Sequence, residues 1–228
     1  MTDFAVRSSD LSIGYDRAIC GGISFELRQG RSMLIGGHNG TGKSTLLKTL
    51  YALTPMLGGQ AEVAGVSLIE ASPERLMRAN CRFLGQGARS FDYLSLRQNR
   101  EVLKALYDFP LSSELSEAFG SLGSSKSIGD LSVGLRRLAS MCMLTAGAPR
   151  LYLLDEPIAG IDAIHEELII QWIEAEQQRG ASFIIVEQRF RRLLPVCDLA
   201  MVLRSGEITF CSKSTELSDD NKIAEFFL

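Results

Sequence analysis

The spacing of hydrophobic residues predicts strands that alternate with helices. Apolar and polar residues alternate across 4–13 and 23–27, which is typical of half-buried strands. The segment 31–35 and the apolar run Leu151–Leu154 are typical of buried strands, because a parallel sheet is covered on both faces. Further short strands are predicted at 61–63, 66–69, 81–84, 182–186 and 199–203, and a hairpin turn at 205–206.

Helical spacing separates several of these strands. A helix is predicted from Ser44 to Leu53, and another begins with Ser72 as its N-cap. Longer helices are predicted over 133–146 and 162–179. This alternation predicts an α/β fold, with a parallel sheet flanked by helices and antiparallel strands at the N-terminus.

One region lacks strand signals. From Leu96 to about Gly120 the apolar residues are helically spaced, and a polar linker follows at 123–127. We therefore predict an all-helical subdomain at residues 87–131. It is inserted into a core formed by residues 1–86 and 132–228.

Composition narrows the classes of protein. The chain has 228 residues and a net charge of −3, which does not provide the basic surface that nucleic-acid binding normally needs. Its five cysteines form no C-x-x-C pair, so neither a disulfide framework nor a zinc site is expected. We therefore expect the chain to work in a reducing cytoplasm. No signal peptide and no membrane-spanning apolar run is predicted, so a role at a membrane requires a partner.

The stretch Gly37–Ser44 follows the pattern G-x-x-x-x-G-K-[ST], between a predicted strand and a predicted helix. Glycines let backbone N–H groups curl around an anion, and the helix N-terminus adds partial positive charge. Lys43 can reach the β- and γ-phosphates, while Ser44 offers a hydroxyl to Mg²⁺. This predicts a P-loop NTPase core, whose nucleotide-binding residues are Gly37, Asn39, Gly40, Thr41, Gly42, Lys43, Ser44 and Thr45.

Two carboxylates follow the buried strand Leu151–Leu154. Asp155 is the predicted Mg²⁺ ligand and Glu156 the predicted general base for an attacking water. Taken alone, the pair is more typical of acidic residues near a helix N-terminus. The glycine loop at the same expected sheet edge favours the metal and base roles.

With these motifs in order, the chain resembles the nucleotide-binding subunit of an ABC transporter over nearly its whole length. Gly37–Ser44 resembles the Walker A motif and Leu151–Glu156 the Walker B motif. The resemblance implies that Tyr15 stacks on adenine and that Gln86 senses Mg²⁺ as a metal ligand. Without it, Tyr15 is an ordinary turn tyrosine and Gln86 a solvated glutamine.

The later motifs of that family are also recognisable. Leu131–Leu135 resembles the LSGGQ signature, whose Ser132 and Gly134 would bind the γ-phosphate held by a second subunit. Ser132 is equally a helix N-cap. Asp162 belongs to a D-loop-like segment and is expected at the nucleotide, and Gln188 occupies the position of the switch histidine. The resemblance therefore implies a head-to-tail dimer, homo- or heteromeric, with ATP and Mg²⁺ between the subunits.

The chain departs from the family pattern in the signature. Val133 replaces a glycine and crowds the loop, and Leu135 replaces a polar residue. The V-E-Q sequence ending at Gln188, together with an expected C-terminal helix over 222–228, resembles ATPases of branched-chain amino acid and urea importers.

These features imply an ATPase at the cytoplasmic face of a membrane. The expected catalytic residues are Glu156, Lys43, Gln86 and Gln188. A membrane permease would dock on the helical subdomain. The alternatives are a soluble ABC ATPase of the iron–sulfur assembly kind, or a degenerate ATP-binding partner in a heterodimer. A basic cluster at Arg189, Arg191 and Arg192 is interpreted as a solvated helix face rather than an anion site.

Overall fold

The structure is a computed structural model that describes residues 3–86, 91–107, 127–145 and 147–217. Most of the predicted helical subdomain and the predicted helix over 222–228 lie outside the described residues. The strands are β1 (Phe4–Gly14), β2 (Ala18–Arg28), β3 (Ser32–Gly36), β4 (Met56–Val63), β5 (Val66–Ser67), β6 (Cys81–Leu84), β7 (Leu151–Asp155), β8 (Ser182–Val186), β9 (Leu199–Arg204) and β10 (Glu207–Lys213). The α-helices are α1 (Lys43–Leu50), α2 (Pro73–Arg78), α3 (Leu96–Tyr107), α4 (Val133–Leu144), α5 (Ala163–Gln178) and α6 (Phe190–Leu193).

The described strands form two sheets. The antiparallel sheet has the order β2-β1-β4-β5, and the second has the order β10-β9-β3-β8-β7-β6. The second sheet is parallel except for β10, which forms a hairpin with β9. Since parallel strands end at the same edge, the loops after β3, β7 and β8 come together there. The predicted α/β architecture with antiparallel N-terminal strands is confirmed.

The parallel sheet separates two hydrophobic clusters, because successive residues of a strand point to opposite faces. On one face, the antiparallel sheet and α1 cover the strands, with Leu46, Leu47 and Leu50 fully buried. On the other face lie α4 and α5, where the rings of Tyr152 and Phe183 stack at 4.8 Å between centroids. This packing fixes the strand ends that carry the site.

Several predicted boundaries were wrong. A Gly-Gly pair such as 58–59 is expected to break a regular element, but it lies inside β4. Gly59 has a φ of 77°, and a Cβ there would lie 2.1 Å from the Asp10 carbonyl oxygen, so this strand position requires glycine. Helix α1 ends at Leu50, ahead of Ala52 with its φ of 56°. The predicted strand 66–69 stops at Ser67, and Ile69 is exposed.

The helix predicted over 133–146 ends at Leu144, and Ser132 and Ser72 are N-caps as predicted. Helix α3 matches the helical spacing predicted after Leu96. In the part of the chain that the structure describes, none of the helices combines the length and the apolar character needed to cross a bilayer.

Candidate active site

The glycine loop joins the buried strand β3 to helix α1. Gly37 and Gly42 have φ values of 139° and 98°, and a Cβ on Gly37 would lie 2.2 Å from the Leu203 carbonyl oxygen. The sequence therefore needs glycine at Gly37 for both its backbone angle and its close approach. The Lys43 ammonium group donates to the carbonyl oxygens of Gly37 at 2.8 Å and His38 at 2.7 Å, so it already lies inside the loop.

Lys43 is buried although it is charged. Burial lowers its pKa, and the negative charges of Glu156 and Asp155 oppose that shift. The lysine and the two carboxylates are therefore electrostatically coupled. The glycine-loop and Walker B predictions singled out these three residues.

Ser44, Asp155 and Gln86 meet at the sheet edge. The Ser44 hydroxyl donates to Asp155 Oδ1 at 3.0 Å, and Gln86 Nε2 donates to Ser44 Oγ at 3.4 Å. The chain thus brings its three predicted metal ligands together from α1, the end of β7 and the segment after β6. The contact between Ser44 and Asp155 spans 111 residues of sequence.

The Asp155 carboxylate suits a divalent cation. Asp155 is fully buried, and its Oδ2 has no hydrogen-bond partner. Burial raises its pKa, the Ser44 hydroxyl opposes this, and the charge of Glu156 adds to it. A hard cation takes oxygen ligands of this kind and would satisfy the unpartnered oxygen.

Glu156 and Gln188 are in direct contact. Gln188 Nε2 donates to Glu156 Oε1 at 2.7 Å. Glu156 has a φ of 52°, a left-handed conformation that is uncommon outside glycine. Its N–H donates to the Val186 carbonyl oxygen at 2.8 Å, which ties the strained residue to the end of β8. The sequence placed both residues at the site, but their hydrogen bond was not predicted.

Arg137 is a site residue that the sequence did not single out. Its guanidinium, buried on helix α4, donates to the carbonyl oxygens of Asp155, Glu156 and Gly85, the last two both at 2.7 Å. Burial lowers the Arg137 pKa, and the charge of Asp155 is the largest opposing cause. The helical spacing could have indicated that Arg137 is buried, because it shares a helix face with the fully buried Met141 four residues later.

Glu187 is a second such residue. It is buried, and its Oε1 accepts the backbone N–H groups of Gln188 at 2.8 Å and Arg189 at 3.0 Å. Its Oε2 accepts the N–H of Ile158 at 3.3 Å. Burial raises the pKa of Glu187, and these backbone hydrogen bonds oppose the shift. The carboxylate therefore fixes the backbone of Gln188 relative to the segment that follows Glu156.

The signature-like segment begins helix α4. The exposed Ser132 caps the helix by accepting the Leu135 N–H at 3.3 Å. Val133 is 66% exposed, whereas Leu135 packs against the hydrophobic core. A Cβ on Gly134 would lie 3.5 Å from the Gly160 carbonyl oxygen, so this helix start lies against the D-loop-like segment of its own chain.

Asp162 caps helix α5. Its Oδ1 accepts the N–H groups of Ile164 and His165, each at 3.1 Å. Its Oδ2 contacts the His165 ring nitrogen at 2.5 Å. These hydrogen bonds lower the pKa of Asp162.

Tyr15 lies in the turn between β1 and β2 and is 55% exposed, so its ring is accessible.

The interpretation of the basic cluster as a solvated helix face fits the exposure of its three arginines, but two of them also have a buried partner. Arg189 and Arg192 both form ion pairs with Glu166, whose side chain is 1% exposed. Sequence spacing gave no signal for this pairing, because Glu166 precedes Arg192 by 26 residues on another helix.

A cavity of about 340 Å³ opens beside Glu156. It lies between the segment around Gln86 and the start of α4. Its lining residues are Gln86, Asp92, Val133, Arg136, Arg137, Glu156 and Ala159.

A glycine loop, a buried lysine and two carboxylates at the carboxyl edge of a parallel sheet define a P-loop nucleotide-binding ATPase. The pattern of the ABC transporter family matches residues 20–159, more than half of the chain. The chain therefore belongs to the ABC transporter ATP-binding family, and it binds and hydrolyses ATP.

Two of the relatives cover nine-tenths or more of the chain. BraG, the high-affinity branched-chain amino acid transport ATP-binding protein of Pseudomonas aeruginosa, is 27% identical, covering 90% of this chain and 91% of that protein. The phosphonates import ATP-binding protein PhnC 2 of a Nostoc species is 28% identical, covering 99% and 98%. A solved ATP-binding subunit of an ABC transporter superposes with a TM-score of 0.82 at 20% identity, covering 97% and 99%, which shows the shared fold.

Proposed function

We propose that this chain is the motor subunit of an ABC importer, coupling ATP binding and hydrolysis to substrate movement through a separate membrane permease. The observation that carries the proposal is the convergence of Ser44, Asp155, Glu156 and Gln188 at one sheet edge. The family match and the import proteins among its relatives support the transport role.

Nucleotide binding is assigned to the glycine loop and its neighbours. Lys43 would pair with the phosphates, and Tyr15 would stack on adenine. Ser44, Asp155 and Gln86 would hold Mg²⁺, which would offset the negative charge of the phosphates. The unpartnered Asp155 Oδ2 supports this metal site.

Hydrolysis is assigned to Glu156 and Gln188. Glu156 accepts a proton from a water molecule as the water oxygen attacks the γ-phosphorus, and ADP leaves with the β–γ bridging oxygen. Gln188 orients the base, because its Nε2 already donates to Glu156 Oε1 at 2.7 Å. Positioning and electrostatics supply most of the rate, as is general for phosphoryl transfer.

A second nucleotide-binding subunit completes the site. Ser132 and Gly134 would face the nucleotide held by that subunit, and Asp162 would lie at the same interface. The exposure of Ser132 and Val133 at the start of α4 supports a surface that is covered only on dimerisation.

The permease would dock on residues 87–131, at the cytoplasmic face of the membrane. Relatives are named for branched-chain amino acids, phosphonates and ribose at 26–28% identity. Substrate choice therefore belongs to the permease or to a binding protein, and the V-E-Q switch favours the amino-acid type.

The test is reconstitution. The permease encoded beside this chain would be purified with it and placed in lipid vesicles, alongside a Glu156→Gln version of the same complex. We expect ATP-dependent uptake for the native complex only, with Glu156→Gln held as an ATP-bound dimer. Co-purification with a soluble scaffold and no membrane subunit would instead support the assembly-type ATPase. ATP binding without hydrolysis, restored by a second ATPase, would identify a degenerate partner.

A further inference from the structure

We propose that Glu166 is a positioning residue for ATP hydrolysis. It acts by holding Arg189, and through Arg189 the side chain of Gln188, against Glu156. This inference rests on the roles proposed above for Gln188 and Glu156. Glu166 itself lies on helix α5, outside every motif that the sequence indicated.

The contacts of Glu166 join two separate segments. Its Oε1 accepts a hydrogen bond from Arg192 Nε. Its Oε2 lies 2.6 Å from Arg189 Nη1, an ion pair that lacks hydrogen-bond geometry. The carboxylate is 1% exposed, whereas the side chains of Arg189 and Arg192 are 51% and 48% exposed. The two arginines therefore fold over a buried carboxylate from the solvent side.

Burial of Glu166 strengthens its ion pairs with the two arginines. A buried carboxylate without a partner is strongly unfavourable, so the arginines are held to Glu166 more firmly than in a surface ion pair. Glu167, the next residue, provides a natural contrast. It is 55% exposed and lies 3.9 Å from Arg192 Nη2, the geometry of a weak surface pair.

The contact lies one residue from the catalytic groups. Arg189 directly follows Gln188, which donates to Glu156 Oε1 at 2.7 Å. On the other side, Glu187 fixes the backbone N–H groups of Gln188 and Arg189. Gln188 is thus held between a carboxylate bound to its backbone and an arginine anchored on α5. With the anchor lost, the hydrogen bonds to Glu187 alone would hold this segment, so Gln188 and Arg189 could shift and move the Gln188 side chain away from Glu156.

Glu166 also connects Gln188 to the D-loop-like segment. The Glu166 N–H donates to the Asp162 carbonyl oxygen at 2.9 Å, in the first turn of α5. Any displacement of Asp162 that accompanies dimer closure would move Glu166 and its two arginines as well. The position of Gln188 would then depend on the interface, through contacts within one chain.

The experiment compares Glu166→Gln with Glu167→Gln in the full chain with its partner subunits. We expect Glu166→Gln to lower kcat about tenfold while KM and ATP affinity stay within about twofold, since only the alignment of the base is lost. Glu167→Gln should leave both parameters unchanged. Arg189→Gln should reproduce the loss from the other side of the pair, and Arg189→Lys should recover part of it.

A merely structural role is separated by combining variants. In a Gln188→Ala background, Glu166→Gln should cause no further loss of kcat, because it acts through Gln188. A full tenfold loss in that background, or an unchanged kcat for both Glu166→Gln and Arg189→Gln, overturns the inference. If Gln188→Ala alone leaves kcat unchanged, the proposed role of Gln188 fails, which is a different result. Because Arg189 is half exposed, its variants keep the test valid if Glu166→Gln does not fold.

Discussion

The glycine-loop side and the signature side of this chain differ in where their polar groups find partners. On the glycine-loop side, Lys43 and Ser44 are already bonded to carbonyl and carboxylate oxygens of the same chain. On the signature side, Ser132 caps its own helix but stays exposed, and Val133 beside it is 66% exposed. The first surface is assembled by folding, whereas the second is presented outward and fits the proposed second subunit.

One residue connects the two sides. Arg137 lies on the helix that Ser132 begins, and its guanidinium binds the carbonyl oxygens of Asp155 and Glu156. A shift of the signature helix therefore reaches the carboxylates of the same chain. The outward-facing motif is therefore also part of the framework of the inward-facing one.

The largest expected effect lies on the glycine-loop side. Lys43→Ala removes the buried ammonium group, and we expect ATP affinity to fall about a hundredfold, the loss of a close charge–phosphate contact. Lys48→Ala, on the same helix, is the control and should bind within about twofold of the native chain. Equilibrium binding of a fluorescent ATP analogue measures both. Equal affinities for the two variants would remove Lys43 from the phosphate site.

The connection between the sides is tested by Arg137→Lys. A lysine keeps the charge but cannot reach three carbonyl oxygens as the planar guanidinium does. We expect kcat about tenfold lower, from misplacement of Glu156, with ATP affinity nearly unchanged. Arg136→Lys is the matched control on the next residue. Steady-state ATPase kinetics of both variants measure these effects. A tenfold loss in ATP affinity at constant kcat would show that Arg137 acts in ATP binding instead.

Local pattern and long-range pairing explain what the sequence could predict. Gly37–Ser44 is contiguous and its strand–loop–helix context is local, so the phosphate loop was predictable. The buried run before Asp155 likewise predicted its strand. Gln188 and Glu156 are 32 residues apart, and Glu166 and Arg192 are 26 apart, so their pairing depends on strand order and helix packing. No spacing rule along one element encodes such contacts.

The same distinction explains the errors. Gly59 suggests a break when only its own residue type is considered. In the fold it lies in a strand, because β1 approaches too closely for a Cβ. Arg189 and Arg192 lie on a solvated face as the sequence suggests, but their ion pairs with Glu166 on α5 were not predictable. In each case a neighbour distant in sequence decided the role of the residue.

The signature side is tested by Val133→Gly. If two copies of this chain form the dimer, removal of the β-branched side chain relieves crowding next to the phosphate, and kcat should rise about threefold. Ile69→Gly removes a similarly exposed apolar side chain away from the site and is the control. An unchanged ATPase rate for Val133→Gly would show that Val133 does not limit hydrolysis, which is the result expected if the hydrolytic site receives its signature from a different protein.

The smallest expected effect concerns stability at Asp155. Burial raises the pKa of this carboxyl in the folded chain, so the folded state binds a proton more readily than the unfolded state. Stability therefore falls as pH rises through the interval between the ordinary and the raised pKa. Asp155→Asn cannot ionise and keeps an oxygen for the Ser44 hydroxyl. We expect its Tm at pH 7 without metal to be about 2–4 °C higher, equivalent to about 1 kcal/mol.

Thermal unfolding from pH 4 to pH 8 in a chelating buffer measures this difference, which should shrink toward pH 4 as the native carboxyl becomes protonated. Asp198→Asn is the contrasting control, because Asp198 accepts from Arg31 and Ser32 and its loss should lower Tm. Addition of Mg²⁺ and ATP should raise the Tm of the native chain more than that of Asp155→Asn, since a bound cation would satisfy the buried oxygen. A lower Tm for Asp155→Asn in the absence of metal would show that the carboxylate stabilises the fold. An equal rise in Tm for both chains with Mg²⁺ and ATP would remove Asp155 from the metal site.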